Sequence, residues 1–305
     1  MKRAIRTFLS FPFPGWTIPL GIVAVSLAAF GGLLPSLGFY QDDWPPIYYA
    51  YTRGLSSLWE LLQYQSRPYA SYAYVAGFSL LGFKPLNWHL ATLLLRILTV
   101  IVTWLYLRTL WPARPRETAS VALLFAVYPL FKQQPMSVTY SIHWLGFLLF
   151  ALSIWFMVLA FRKPHRYWPF TALALLAAAL HLLTVEYFAG LELVRPLILW
   201  LLLSERGGSA RKRLGATLKY WSPYLLVLLG FFAYRLFLIP RPTPGFDQNP
   251  PVAVVSPPSH NNQIMGEVSR PSSTVSASRL RNVRYRSPPG RVITAGVTIP
   301  PVTPA

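Results

Sequence analysis

Residues 16–39 contain no charged side chain, and an apolar run of that length leaves a chain few places to go. A hydrocarbon layer roughly 30 Å thick is crossed by an α-helix of about 20 apolar residues, whereas a core helix of a soluble protein reads as a run of about 10–14. Further apolar blocks follow at residues 86–110, 118–131, 138–161, 167–184, 187–203 and 221–239. With the first block they make about seven spans, some of them short. The expected fold class is therefore all-α: a polytopic transmembrane helix bundle over residues 1–240.

The formal charge of +19 would suit a nucleic-acid partner if it were gathered on one face, so its placement decides the matter. Lys2, Arg3 and Arg6 precede the first block. The other cations fall in alternate short loops: Arg108, Arg114 and Arg116, then Arg162, Lys163 and Arg166, then Arg206, Arg211, Lys212, Arg213 and Lys219. Every second loop is basic, which is the pattern that orients membrane proteins with those loops in the cytoplasm. The reading is a multi-pass membrane protein with a cytoplasmic N-terminus, membrane lipids as neighbours and no nucleic acid. Ser26-Leu27-Ala28 would pass as a signal-peptidase site, but the apolar run is too long for a usual signal, which favours an uncleaved anchor. Trp16, Trp111, Trp168 and Trp221 fall at block ends, where indole suits the membrane interface. No cysteine is present, so disulfide frameworks and thiolate metal sites are excluded.

The first outer loop is the longest. Within it Leu55, Leu58, Trp59 and Leu62 recur at helical spacing, so residues 55–64 read as a short amphipathic helix lying on the membrane surface. Residues 69–83 are too short to span and would invert every later basic loop if counted, so they read as interfacial or re-entrant. From Pro240 the composition turns to Pro, Ser, Val, Asn and Arg without periodicity, and residues 241–305 read as a disordered tail. Two origins stay open for it: a natural flexible tail, or translation from a slipped reading frame near Asp247-Gln248-Asn249-Pro250.

Chemistry is concentrated in that first loop. Asp42 and Asp43 stand just beyond the first span, followed by Trp44-Pro45-Pro46, whose prolines stiffen the chain. A carboxylate there can take a proton from an acceptor hydroxyl or hold a divalent cation against a phosphate, or it can simply solvate a turn. Arg67 offers a guanidinium fork to phosphate or carboxylate, and Arg67 and Trp44 are the substrate-binding candidates. Glu186, in the tight outer turn between the fifth and sixth spans, is a second acidic candidate, or a partner for a nearby cation such as Lys132. Glu192 and Arg195 are three residues apart inside a span and are expected to pair, while Arg96 and Arg235 either face a cavity or snorkel toward headgroups. The histidines show no ligand spacing. Walker, nucleophile-elbow and zincin motifs are missing.

The order Phe39-Tyr40-Gln41-Asp42-Asp43-Trp44, an amphipathic surface segment, Arg67-Pro68, Leu80-Leu81-Gly82-Phe83 and Leu86-Asn87-Trp88-His89 resembles the N-terminal half of GT-C superfamily membrane glycosyltransferases, the branch of protein mannosyltransferases and bacterial relatives. The resemblance covers residues 1–240. It implies a polyprenyl-phosphate-linked sugar as donor and transfer to an acceptor at the outer face of a bacterial inner membrane, with inversion at the anomeric carbon. It implies Asp42 as catalytic base with Asp43 in support, Glu186 as a weaker catalytic match and Arg67 as a contact to the donor phosphate. Members of that family carry more spans, so a truncated, inactive product is also an expectation. A transporter or polymerase of lipid-linked sugars, and a non-catalytic scaffold, are the competing readings.

Overall fold

The structure is a computed structural model that describes residues 15–128 and 135–239, all within one unit, Met1–Phe246. The expected tail over 241–305, Lys132 and the first three cations lie outside the described residues. The helices are α1 (Thr17–Ser26), α2 (Trp44–Arg53), α3 (Ser57–Tyr64), α4 (Ala70–Leu81), α5 (Pro85–Leu110), α6 (Pro115–Ala126), α7 (Ser137–Arg162), α8 (Tyr167–Thr184), α9 (Val194–Ser204) and α10 (Ala210–Phe237). Among the described residues there is no strand, so the all-α bundle expected from the apolar blocks is what forms.

Side-chain ties sort the helix ends into two sets. At one end, Arg162 donates to the carbonyls of Leu110 (2.7 Å) and Thr109 (3.2 Å) and pairs with Glu205 (2.6 Å), which gathers the last turns of α5, α7 and α9. At the other, His89 donates to the Gly38 carbonyl (2.9 Å) and Thr92 to that of Ser137 (2.8 Å), which gathers the exit of α1 and the first turns of α5 and α7. Helices α5 and α7 thus run the same way, and α6 lies between them in the chain. By the same logic α8, α9 and α10 alternate in direction. The two ends are called here the basic end and the Asp42 end.

Five segments are long and apolar enough to cross a membrane: Thr17–Ser36, Pro85–Leu110, Ser137–Arg162, Pro164–Thr184 and Glu186–Ser204. The chain is a multi-pass membrane protein. Two further helices fall outside that set for visible reasons: α6 has only 12 residues, and the 28 residues of α10 carry Arg211, Lys212 and Arg213 in its first turn. The apolar windows of α5 and α7 are 56% buried against 17% for the first span, so α5 and α7 form the centre and α1 faces lipid.

Where a helix breaks inside such a layer, its peptide groups need partners from the protein. α6 stops at Ala126, and Arg96, fully buried on α5, donates to that carbonyl at 2.9 Å while its guanidinium lies 3.7 Å from the Phe30 ring centroid. Arg96 therefore caps a helix C-terminus, where a cation is favoured, and does not snorkel. Pro223 deprives the Lys219 carbonyl of its helical donor, and the Ser222 hydroxyl takes its place at 2.8 Å. The last pass but one enters as a 3-10 helix, Glu186–Leu193, and becomes α-helical at Val194 just before Pro196. At that transition Glu192 is held by Arg195 (2.8 Å) and His181 (3.0 Å), all three buried, so the pairing expected at three-residue spacing forms and recruits a histidine from α8.

The first long loop is built from α2, α3 and α4. Pro45 and Pro46 are the second and third residues of α2, positions that proline fills without losing a hydrogen bond. The apolar face of α3 does not lie on the membrane surface as its periodicity suggests. Leu58, Leu61 and Leu62 pack with Tyr74, Phe78, Trp88, Val138 and Ile142 in one cluster, because the bundle offers that face a drier surface than the interface does. α4 ends at Gly82, where φ is 64°. The carbonyls there are closed by the residues that follow: Asn87 donates to Leu81 (2.8 Å) and the Trp88 indole to Gly82 (2.9 Å).

Gly77 leaves room for that indole, since a Cβ there would stand 2.6 Å from the Trp88 ring. Gly77→Ala is expected to destabilise the protein by roughly 1–3 kcal/mol through overpacking; thermal unfolding in detergent measures it, and an unchanged midpoint would disprove the close approach.

Candidate functional site

Asp42 and Asp43 turn out to have different surroundings. The 3-10 turn Gln41–Asp43 is closed by Asp43 N–H donating to the Tyr40 carbonyl at 2.9 Å, with Tyr40 N–H answering to Asp43 Oδ2 at 3.4 Å. This turn points the Asp43 side chain inward, where it is fully buried. Its Oδ1 accepts the backbone N–H of Thr139 at 2.9 Å, the third residue of α7. A helix start leaves its first N–H groups unpaired, and a carboxylate is the strongest cap for them; here the cap comes from 96 residues away. Burial pushes the Asp43 carboxyl above its usual value, opposed by the amides of Thr139, Tyr40 and Val138 and by nearby His89.

Asp42 keeps its side chain exposed while its carbonyl accepts the Thr139 hydroxyl at 2.7 Å. The backbone is thus held and the carboxylate is presented. Gln41, just before it, has φ 39°, a conformation uncommon for a residue with a Cβ. The other non-glycine residue of this kind among those described, Ser66 (φ 61°), precedes Arg67. Ser66 closes α3, with its N–H on the Gln63 carbonyl (2.9 Å) and the Arg67 N–H on that of Leu62 (2.7 Å), a Schellman arrangement that usually has glycine at this place. Both candidate residues are therefore aimed by sharply turned backbone.

Arg67 meets Glu186 through two parallel bonds, Nε to Oε2 at 3.0 Å and Nη2 to Oε1 at 2.7 Å. This fork is the geometry a guanidinium offers to phosphate as well. The same guanidinium donates to the Tyr187 hydroxyl and lies 4.6 Å from that ring's centroid. Arg235, near the end of α10, stands 3.9 Å from Glu186. Two cations thus border one carboxylate, and the side chains of the Arg67–Glu186 pair remain 18% and 21% exposed, open enough for exchange with an incoming anion.

The two parts are joined through α7. His143, one turn after Thr139, donates to the Thr139 carbonyl at 3.0 Å and stacks on Tyr187 with centroids 5.7 Å apart. Tyr140 lies within electrostatic reach of both Asp42 and Tyr187, and buried Tyr74, its hydroxyl pushed up by burial, feels Asp43, Arg67 and Asp42. Asp42, Asp43, Arg67 and Glu186 are therefore brought to one end of the bundle. Trp44 is there too, 55% exposed and edge-on to Phe39 at 6.2 Å. His143, Tyr187, Thr139 and Arg235 were not legible as site residues. The available signal was the four-residue spacing from Thr139 to His143, which places both on one helix face.

A divalent cation would find little here. Asp43 gives its oxygens to backbone amides and Glu186 gives its own to Arg67, and among the described residues no three acidic or histidine side chains converge as ligands. No protein-family model matches the chain, nor does any curated protein or solved structure. What the fold defines is a class: a multi-pass helical membrane protein with an acidic, arginine- and tyrosine-rich group at one end.

The division between the two aspartates is measurable. Asp43→Ala leaves an α7 amide without its acceptor in a buried place and should lower stability by about 1–3 kcal/mol. Asp42→Ala should stay within roughly 0.5 kcal/mol, as exposed substitutions do. Equal losses in thermal unfolding would show that Asp43 is not the cap.

Proposed function

We propose that the chain is a membrane glycosyltransferase that moves a sugar from a polyprenyl-phosphate carrier to an acceptor hydroxyl at the outer face of a bacterial inner membrane, with its N-terminus in the cytoplasm. The observation that carries the reading is the exposed Asp42 carboxylate, fixed by its backbone at the same end of the bundle as the Arg67–Glu186 fork that Arg235 borders. The likeness of the Phe39-to-His89 segment to GT-C enzymes supports it, as does the alternation of basic loops.

In this mechanism the acceptor hydroxyl docks at Asp42, which takes its proton as the oxygen attacks the anomeric carbon. The bond from that carbon to the phosphate oxygen breaks, and the phosphate departs with the electron pair, so a single displacement inverts the centre. Arg67 and Arg235 balance the charge that builds on the phosphate. Glu186 occupies the fork of Arg67 until the phosphate takes it, which keeps a buried guanidinium paired in the absence of donor. Asp43 acts through Thr139, as a positioning residue.

A second reading, a transporter of lipid-linked sugars, draws on a different feature: α6 ends beside buried Arg96, next to the π-helical turn Leu27–Gly31 of the first span. Interrupted helices inside a bundle are a common way to build a transport site.

Asp42→Asn separates the two. It keeps shape and removes the base, so sugar transfer from a polyprenyl-phosphate donor should drop by about 10²–10⁴-fold with unfolding unchanged. Full turnover in the variant would end the assignment of Asp42, and wild-type flipping of lipid-linked sugar without transfer would favour the transporter.

A further inference from the structure

Beside the charged group lies a cavity of about 320 Å³ that the mechanism above does not use. It is lined by Trp59 and Gln63 of α3, Tyr69 and Tyr72 at the start of α4, and Tyr234 of α10, with Pro68, Leu238 and Ile239 as its apolar part. Trp59 and Gln63 are four residues apart and Tyr69 and Tyr72 three, so each wall is made of side chains one helical turn from each other. Its volume sits at the small end of the range for ligand pockets, about 300–1,000 Å³.

The chemistry of the lining is specific. Trp59, Tyr69 and Tyr72 are 39%, 42% and 64% exposed, unlike Tyr74 of the same helix, which is 4% exposed in the core. The four rings form two pairs that meet at steep angles, Trp59 with Tyr72 at 69° and Tyr69 with Tyr234 at 54°. In such a pair the edge of one ring meets the face of the other, so one face is covered and the remaining faces are not taken up by the pairing. The same side chains bring three phenol hydroxyls, of which those of Tyr69 and Tyr234 bond each other, an indole N–H and the Gln63 amide. A hydrocarbon tail has no polar atom to meet them. A pyranose ring has what they need: a C–H face for an aromatic plane and a rim of hydroxyls for the polar tips.

The cavity is also joined to the charged group. Tyr69 follows Arg67 by two residues and Tyr234 precedes Arg235, which approaches Glu186. We infer that this cavity is a carbohydrate subsite that stacks one pyranose ring of the acceptor on Trp59, with Tyr72 as its side wall. That the ring belongs to the acceptor rests on the transferase reading; that the cavity takes a pyranose rests on its lining.

The test uses the full chain in lipid nanodiscs and saturation-transfer NMR with the methyl pyranosides of mannose, glucose, galactose and N-acetylglucosamine as probes. Saturation should reach the ring C–H protons of at least one pyranoside. Its affinity should fall roughly tenfold in Trp59→Ala and in Tyr72→Ala, and recover in Trp59→Phe, which restores a flat ring. The inference is overturned if none of the four pyranosides is saturated, if Trp59→Ala leaves binding unchanged, or if farnesyl phosphate shows the Trp59-dependent signal in their place. Pyranoside binding in a protein without transfer activity would leave the subsite standing and sink the transferase reading, and transfer that is indifferent to Trp59 with no pyranoside binding would do the reverse.

Discussion

A chain that threads a dry layer cannot leave a peptide N–H or C=O without a partner, and this constraint explains a set of side-chain bonds at the helix breaks. Each sits where a helix starts, stops or loses a donor. Asp43 closes the start of α7, Arg96 the end of α6, Asn87 and Trp88 the end of α4, and Ser222 the gap left by Pro223. Because Asp43 and Arg96 reach across 96 and 30 residues, they also fix how the helices lie against one another. The interruption of secondary structure and the assembly of the tertiary fold are one event here.

The Asp42 end shows how such a cap makes a site. Once Asp43 is committed to α7, its neighbour faces the other way, and the Thr139 hydroxyl on the Asp42 carbonyl removes the remaining freedom. The Schellman turn at Ser66 does the same for Arg67. On the far side of the group, the 3-10 helix Glu186–Leu193 places residues every third position on one stripe, so that Glu186 and Glu192 share a face. One glutamate meets Arg67 near the surface, and the other meets Arg195 and His181 in the interior. A shift of that helix toward α-helical winding would disturb both pairs together.

What the sequence made legible was whatever depends on local pattern. Apolar blocks and basic loops mark the passes, the three-residue spacing of Glu192 and Arg195 marks their pairing, and Gly82 with Lys84-Pro85 marks the corner before α5. The three residues Asp42, Arg67 and Glu186 could be singled out because charges near apolar blocks are few. What could not be read was any relation across long separations. Arg67 and Glu186 are 119 residues apart, and no spacing rule links them. Asp43 looks identical to Asp42 until α7 is placed above it. Leu58, Leu61 and Leu62 have the same periodicity whether they meet lipid or protein, and only the neighbouring helices decide. Arg96 was open between cavity and headgroup for the same reason, since its true partner is a carbonyl that exists only because α6 stops.

In the proposed orientation the group around Asp42 faces the outside of the membrane and the arginine-rich end the cytoplasm. The chain has no cysteine, so single cysteines report without interference. Glu60→Cys, at a side chain 73% exposed near the Asp42 end, and Arg166→Cys, exposed at the basic end, are treated with a membrane-impermeant maleimide in intact cells. Labelling of the first alone, with the second reached only after permeabilisation, is the result this account predicts; the opposite pattern would put Asp42, Arg67 and Glu186 on the cytoplasmic side and contradict it.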